Sequence, residues 1–175
     1  MPLLTKKVFI IRKNLIVLLF ATLLFASCSN VGFTNPQPEF LEPLTKIPEK
    51  FQGVYVVPEL DSAKYIVSNL TIADDSINNG KLVVKSWGNY LFINELTDDY
   101  YHLTVGKAVK FLNHETLSVH FINLDSNQTH LFNIVGTEKG GEYSSDVTYF
   151  LDDVNRNQFQ TLLNNSKKLD VIRIE

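Results

Sequence analysis

The chain has 175 residues, 45% of them hydrophobic and 20% charged, the composition of one globular domain with some extra length. Its formal charge is −3 and its lysines are scattered, so the clustered positive charge needed to neutralise phosphates is missing and no nucleic-acid partner is expected. The lone cysteine, Cys28, excludes an intrachain disulfide and a cysteine metal cluster.

Charge and hydropathy divide the chain near that cysteine. Residues 1–27 carry Lys6, Lys7, Arg12 and Lys13 and no acid. Of 16 basic and 19 acidic residues, the rest of the chain keeps 12 and 19, a net charge of −7. An apolar run from Leu15 to Phe25 follows the cations, and Ala26-Ser27-Cys28 ends it. That is the order of a secretory signal, and the run falls short of the roughly 20 residues a spanning helix needs.

Small residues directly before a lone cysteine resemble the lipobox of bacterial lipoproteins, with Phe25 where that family usually has leucine. The resemblance covers residues 1–28. It implies a signal peptide over 1–27, cleavage before Cys28, diacylglycerol on the Cys28 sulfur and a fatty acyl group on the new amine. Several acyl chains give stable anchoring where one gives marginal binding. A plain secretory signal or an uncleaved anchor are the alternatives. By the same resemblance, Ser29 in place of aspartate points to the bacterial outer membrane. The lack of an acidic run after Cys28 points to the leaflet facing the periplasm.

Residues 28–46 are expected to form a proline-rich tether that lets the domain stand off the membrane. Across 29–48, Pro36, Pro38, Pro43 and Pro48 each remove a backbone donor and restrict the preceding residue. A single domain is expected over 47–175. The apolar alternation predicts strands at 51–57 and 65–72, followed by turn chemistry at 74–80. A hairpin pairs 81–86 with 90–96, and Asp98-Asp99 turns the chain into a strand over 100–105 that continues through 108–112. Residues 113–115 turn again. A second hairpin, 117–124 with 129–135, is predicted across Asp125-Ser126-Asn127-Gln128. After a loop at 139–142 come a strand at 146–151 and a helix started by Asp152-Asp153. Phe159, Leu162 and Leu163 share one face of that helix, Lys167-Lys168 sits in its last turn, and 170–174 forms a closing strand.

The expected fold is therefore mainly β: an antiparallel meander of about eight or nine strands with one C-terminal helix, in a barrel or sandwich. Gly53-Val54-Tyr55 in the first strand is similar to the Gly-x-Trp of lipocalin-like calycins, with Tyr for Trp, and the order of elements is theirs too. That resemblance implies a lipocalin-like barrel.

Candidate chemistry is sparse. Asp74-Asp75, Asp98-Asp99 and Asp152-Asp153 fall at turns or a helix start, and neither register at 74–80 has the oxygen spacing of a calcium loop. His114-Glu115 lacks the second histidine of a zinc helix. In the predicted hairpin His120 and His130 take opposite faces, so they share no metal. His102 stands alone. Nucleophile elbows and phosphate loops are missing. Trp87, Tyr90, Tyr100 and Tyr101 could stack on glycans or fill a core. No catalytic residue, metal or cofactor is expected. The leading expectation is a lipid-anchored, non-enzymatic envelope protein whose barrel-like domain binds a small apolar ligand or a partner. The rival is an envelope assembly or interaction lipoprotein with a filled barrel and no small-molecule ligand.

Overall fold

The computed structural model describes residues 31–56, 64–73, 75–111, 114–139 and 147–174. The leader 1–27, Cys28, Asp74 and most of the 139–142 loop lie outside the described residues. In chain order the strands are β1 (Val31–Phe33), β2 (Gly53–Val56), β3 (Lys64–Val67), β4 (Thr71–Ile72), β5 (Asp75–Ser76) and β6 (Leu82–Trp87). They continue as β7 (Tyr90–Thr97), β8 (Tyr100–Phe111), β9 (His114–Phe121), β10 (Asn133–Lys139), β11 (Val147–Asp152) and β12 (Lys167–Arg173). One α-helix, α1 (Arg156–Asn164), lies between β11 and β12. The fold is mainly β with one late helix, as composition and alternation predict.

β8 organises the sheet. β7 lies along one edge of it over residues 100–107; the other edge carries β1 at residues 101–102 and β9 at 104–111. One twelve-residue strand thus joins a β1-β11-β10 wing to a β9-β12-β2-β3-β4-β5 wing. β6 through β9 form the expected meander. Its two-residue turns, Gly88-Asn89 and Asp98-Asp99, place Gly88 (φ 56°) and Asp98 (φ 54°) in the left-handed region that Gly and Asp tolerate. The sheet is mixed, because β1 runs parallel to β11. No pairing among the described residues joins its ends, so the strands do not close into a barrel.

Several expected elements are corrected. The strand over 65–72 is two strands, because the Ser68 hydroxyl accepts the Thr71 (3.0 Å) and Leu70 (3.2 Å) backbone N–H groups and turns β3 into β4. Residue 114 opens β9 instead of turning. The 117–124/129–135 hairpin does not form. Asp125 caps a 3-10 turn (Ser126–Leu131) by accepting the Asn127 N–H at 2.9 Å, β12 takes the free edge of β9, and β10 pairs with β11. The helix starts at Asn155, not Asp152-Asp153. The Asn155 side chain accepts the Asn157 and Gln158 N–H groups while the Gln158 side chain accepts the Asn155 N–H, a reciprocal capping box. Asp152 ends β11 and accepts from the Thr34 hydroxyl. Lys167-Lys168 opens β12 rather than ending the helix.

The segment read as a tether belongs to the domain from Val31 onward. Val31 and Phe33 are fully buried, and β1 fills the gap between β8 and β11. Prolines do exclude a long strand here, but three residues suffice to pair. Residues 34–47 then wrap as a strap around β6. On the sheet face that α1 covers, called the helix face below, the Asn94 side chain imitates a strand neighbour for Gln37. It accepts the Gln37 N–H at 2.6 Å and donates to the Gln37 carbonyl at 2.8 Å. Buried Lys85 donates to the Pro36 and Pro38 carbonyls at 2.8 and 2.9 Å. Leu44 then donates to the Val84 carbonyl at 2.7 Å, which covers the outer edge of β6. Ile47 and Phe51 finish on the opposite face, against Leu82, Val84 and Leu91.

On the helix face, Phe159 and Leu162 of α1 pack on Phe92, Leu103 and Val105 together with Val31 and Phe33. Phe159 meets Phe92 edge-on with ring centroids 5.6 Å apart. Phe40 of the strap is held edge-on by Trp87 and Phe159, and Arg156 lies over both Phe40 (5.1 Å) and Trp87 (4.8 Å). Strap, meander and helix therefore form one packed unit.

Candidate functional site

α1 covers only part of the helix face. Beyond it, the same face of β8, β9 and β12 is open and forms a trough of about 430 Å³. Register explains its lining, because alternate side chains share a face. One cross-strand row is His120 and Lys168, beside the fully buried Val105; the next is Lys107, Ser118 and Asp170; the third is Val109, Thr116 and Ile172. The opposite sides of the same strands, Leu117, Val119, Leu169 and Val171, pack into the core around Tyr55. The trough is polar and cationic near α1 and apolar at its far end.

His120 stands at the polar end with 4% of its surface exposed. Its Nδ1 lies 2.8 Å from the Ser166 hydroxyl, just past the helix. Ser166 spends its one proton on the Leu163 carbonyl at 2.7 Å, so toward His120 it can only accept. The imidazole therefore carries its proton on Nδ1, and Nε2 is a bare lone pair in the neutral ring. Nε2 is buried and has no partner among the described residues. An unmet buried acceptor costs about 1–3 kcal/mol. Lys107, its ammonium 5.2 Å above the Tyr90 ring, and exposed Lys168 flank it. Among the described residues neither lysine is ion-paired.

Burial, then the charges of Lys168 and Lys107, hold the His120 pKa below its ordinary value, against a smaller upward pull from Asp170. The unfolded chain therefore takes up a proton near pH 6.5 that the folded chain refuses. The stability this histidine contributes is complete above about pH 6.5 and is lost as pH falls toward the lower folded value. Urea unfolding between pH 7.5 and 5 should show this loss. His120→Asn, which keeps a donor for Ser166 and cannot titrate, should flatten that part of the profile; an unchanged slope would refute the assignment.

The other candidates disperse. Cys28 lies outside the described residues. His102 pairs with Gly32 in mid-sheet, His114 starts β9, and His130 sits in the exposed 3-10 turn. Among the described residues no three His, Cys, Asp or Glu side chains gather as a metal site. Asp98 and Asp153 occupy left-handed turn positions. Tyr90 stacks on Phe92, and Tyr101 packs against the core. Tyr100 stacks at 3.8 Å on Phe150, whose ring fills the space over Gly32, where a Cβ would meet it at 2.7 Å. Trp87 stays half exposed, held by Arg156 and Phe40. Sequence reasoning missed Lys107, Ser118, Ser166 and Lys168. The signal that could have found them is the polar alternation of 116, 118 and 120 against that of 168 and 170. No protein-family model, no curated protein and no solved structure matches the chain.

Proposed function

We propose that the chain is a lipid-anchored, non-enzymatic envelope protein that holds a small molecule in this trough. The carrying observation is the open cleft of about 430 Å³ with a buried, unpartnered His120 nitrogen at one end. That volume suits a small ligand. Binding is favoured over turnover by the direction of the Ser166–His120 bond. Activating a serine requires the histidine to receive the hydroxyl proton, whereas here the histidine donates and the hydroxyl is spent on Leu163. The ligand lies on an open sheet face, not in a closed barrel lumen.

Anchoring rests on residues 1–28, read as a lipobox leader that attaches acyl chains to Cys28 on the periplasm-facing side of the outer membrane. Three residues, 28–30, separate the start of such an anchor from buried Val31. They reach about 10 Å at most, so the domain sits close against the bilayer. Titration with octanol, followed by amide NMR, should move signals of residues 105–109, 116–120 and 168–172. Shifts confined to other surfaces would sink the trough. Fatty-acid labelling that persists in Cys28→Ala would sink the anchor. A protein-docking role is the second reading, supported by exposed Tyr65, Ile66 and Leu70 on β3 and its turn.

A further inference from the structure

Resting on the trough-binding role proposed above, we infer that the ligand is a single-chain amphiphile with an oxyanion head, either a carboxylate or a phosphate monoester. The head sits between Lys107 and Lys168 beside His120, and the chain lies over Val109 and Ile172. Charge carries the first half. Two lysines face the polar end from β8 and β12 against one carboxylate, Asp170, and the hydroxyls of Ser118 and Thr116 add no charge. The unpartnered Nε2 carries the second observation. A neutral ring there accepts a hydrogen bond that none of the described residues supplies. An oxyanion head satisfies that nitrogen with the roles reversed: the ring takes up a proton and its Nε2–H donates to the anion. The anion offsets Lys107 and Lys168, two of the charges that now oppose protonation.

The apolar end fits a chain. Val109, 38% exposed, and Ile172, 48% exposed, share the trough face across Thr116. Ile172 faces Val56 of β2, and Ile66 of β3 faces Val54, so the apolar stripe continues on the same side of the sheet past the trough. Ile66 is 56% exposed. The stripe leads away from the cationic end, which matches one charged head and one tail.

The test uses the purified full-length chain in lipid nanodiscs, titrated with octanoate, octyl phosphate, octanol and inorganic phosphate. Trough amides and the imidazole ¹⁵N signals of His120 are followed by NMR at pH 7. Octanoate or octyl phosphate should bind about tenfold more tightly than octanol and move the His120 signals toward imidazolium. The tighter of the two identifies the head. Lengthening the chain should tighten binding by about two- to fourfold per methylene. Lys168→Gln, at an exposed position, should weaken the anionic ligand several-fold and leave octanol unchanged. Octanol binding as tightly as octanoate would overturn the oxyanion head while the trough role stands. Inorganic phosphate binding as tightly as octyl phosphate would overturn the tail. No response of the trough to any of the four probes would overturn both the inference and the role beneath it.

Discussion

A chain that begins at Ile47 should fail to fold, whereas one that begins at Ser29 should unfold as cooperatively as the full-length protein. Circular dichroism through a urea titration separates the two outcomes. The longer truncation removes Val31 and Phe33, both fully buried, and strips a strand from between β8 and β11. Replacing a buried Phe by Ala costs about 3–5 kcal/mol, and losing a buried Val adds about 2 kcal/mol. That already approaches the roughly 5–15 kcal/mol stability of a whole domain. The strap's bonds go with it, leaving Asn94 and Lys85 buried without Gln37, Pro36 and Pro38. A chain over 47–175 that melts like the full-length protein would show that β1 and the strap are passengers, and the domain boundary would return to Ile47. The outcome also bears on the anchor. If the strap is structural, the lipid attachment proposed at Cys28 has no long tether, and the sheet would lie within a few residues of it.

The legible part of this fold is the local part. The meander from β6 to β9 follows from alternation plus Gly88-Asn89 and Asp98-Asp99, residue pairs that carry their turn chemistry with them. The helix follows from the spacing of Phe159 and Leu162, although its true cap, Asn155, was hidden behind two aspartates equally suited to a helix start. What escaped was settled by competition between distant segments. Asp125-Ser126-Asn127-Gln128 suits a hairpin loop and a 3-10 turn alike; the outcome depends on β12, which claims the edge of β9 from far along the chain. Prolines 36 and 38 mark a stretch unable to donate, yet their carbonyls accept from Lys85, a contact with no local signature. The trough follows the same rule. Lys107, His120 and Lys168 come from three strands and meet only through register, so each reads singly as an ordinary solvated or core residue.

Asn94 and Lys85 should prove strongly destabilising when altered, and less than additive when altered together. Asn94 is fully buried, and its amide satisfies both backbone groups of Gln37 and also donates to the Val83 carbonyl at 3.2 Å. Asn94→Ala leaves the Gln37 N–H and C=O without partners in a dry site. Each orphan costs about 1–3 kcal/mol, for an expected loss of about 2–4 kcal/mol after partial relaxation. Lys85→Met keeps most of the side-chain volume but strands the Pro36 and Pro38 carbonyls. Burial already depresses the Lys85 pKa, against upward pulls from Glu39 and Glu42 on the same strap. Removing the charge therefore recovers some desolvation cost, and about 1–2 kcal/mol of net loss is expected. Both side chains clasp one segment. Once either is gone the strap can lift, and the second clasp has less left to hold. In urea unfolding, the double variant should thus lose about 1 kcal/mol less than the two single losses combined. Losses that add to within about 0.5 kcal/mol would mean that the two clasps act on separate parts of the structure, and that the strap does not detach as a unit.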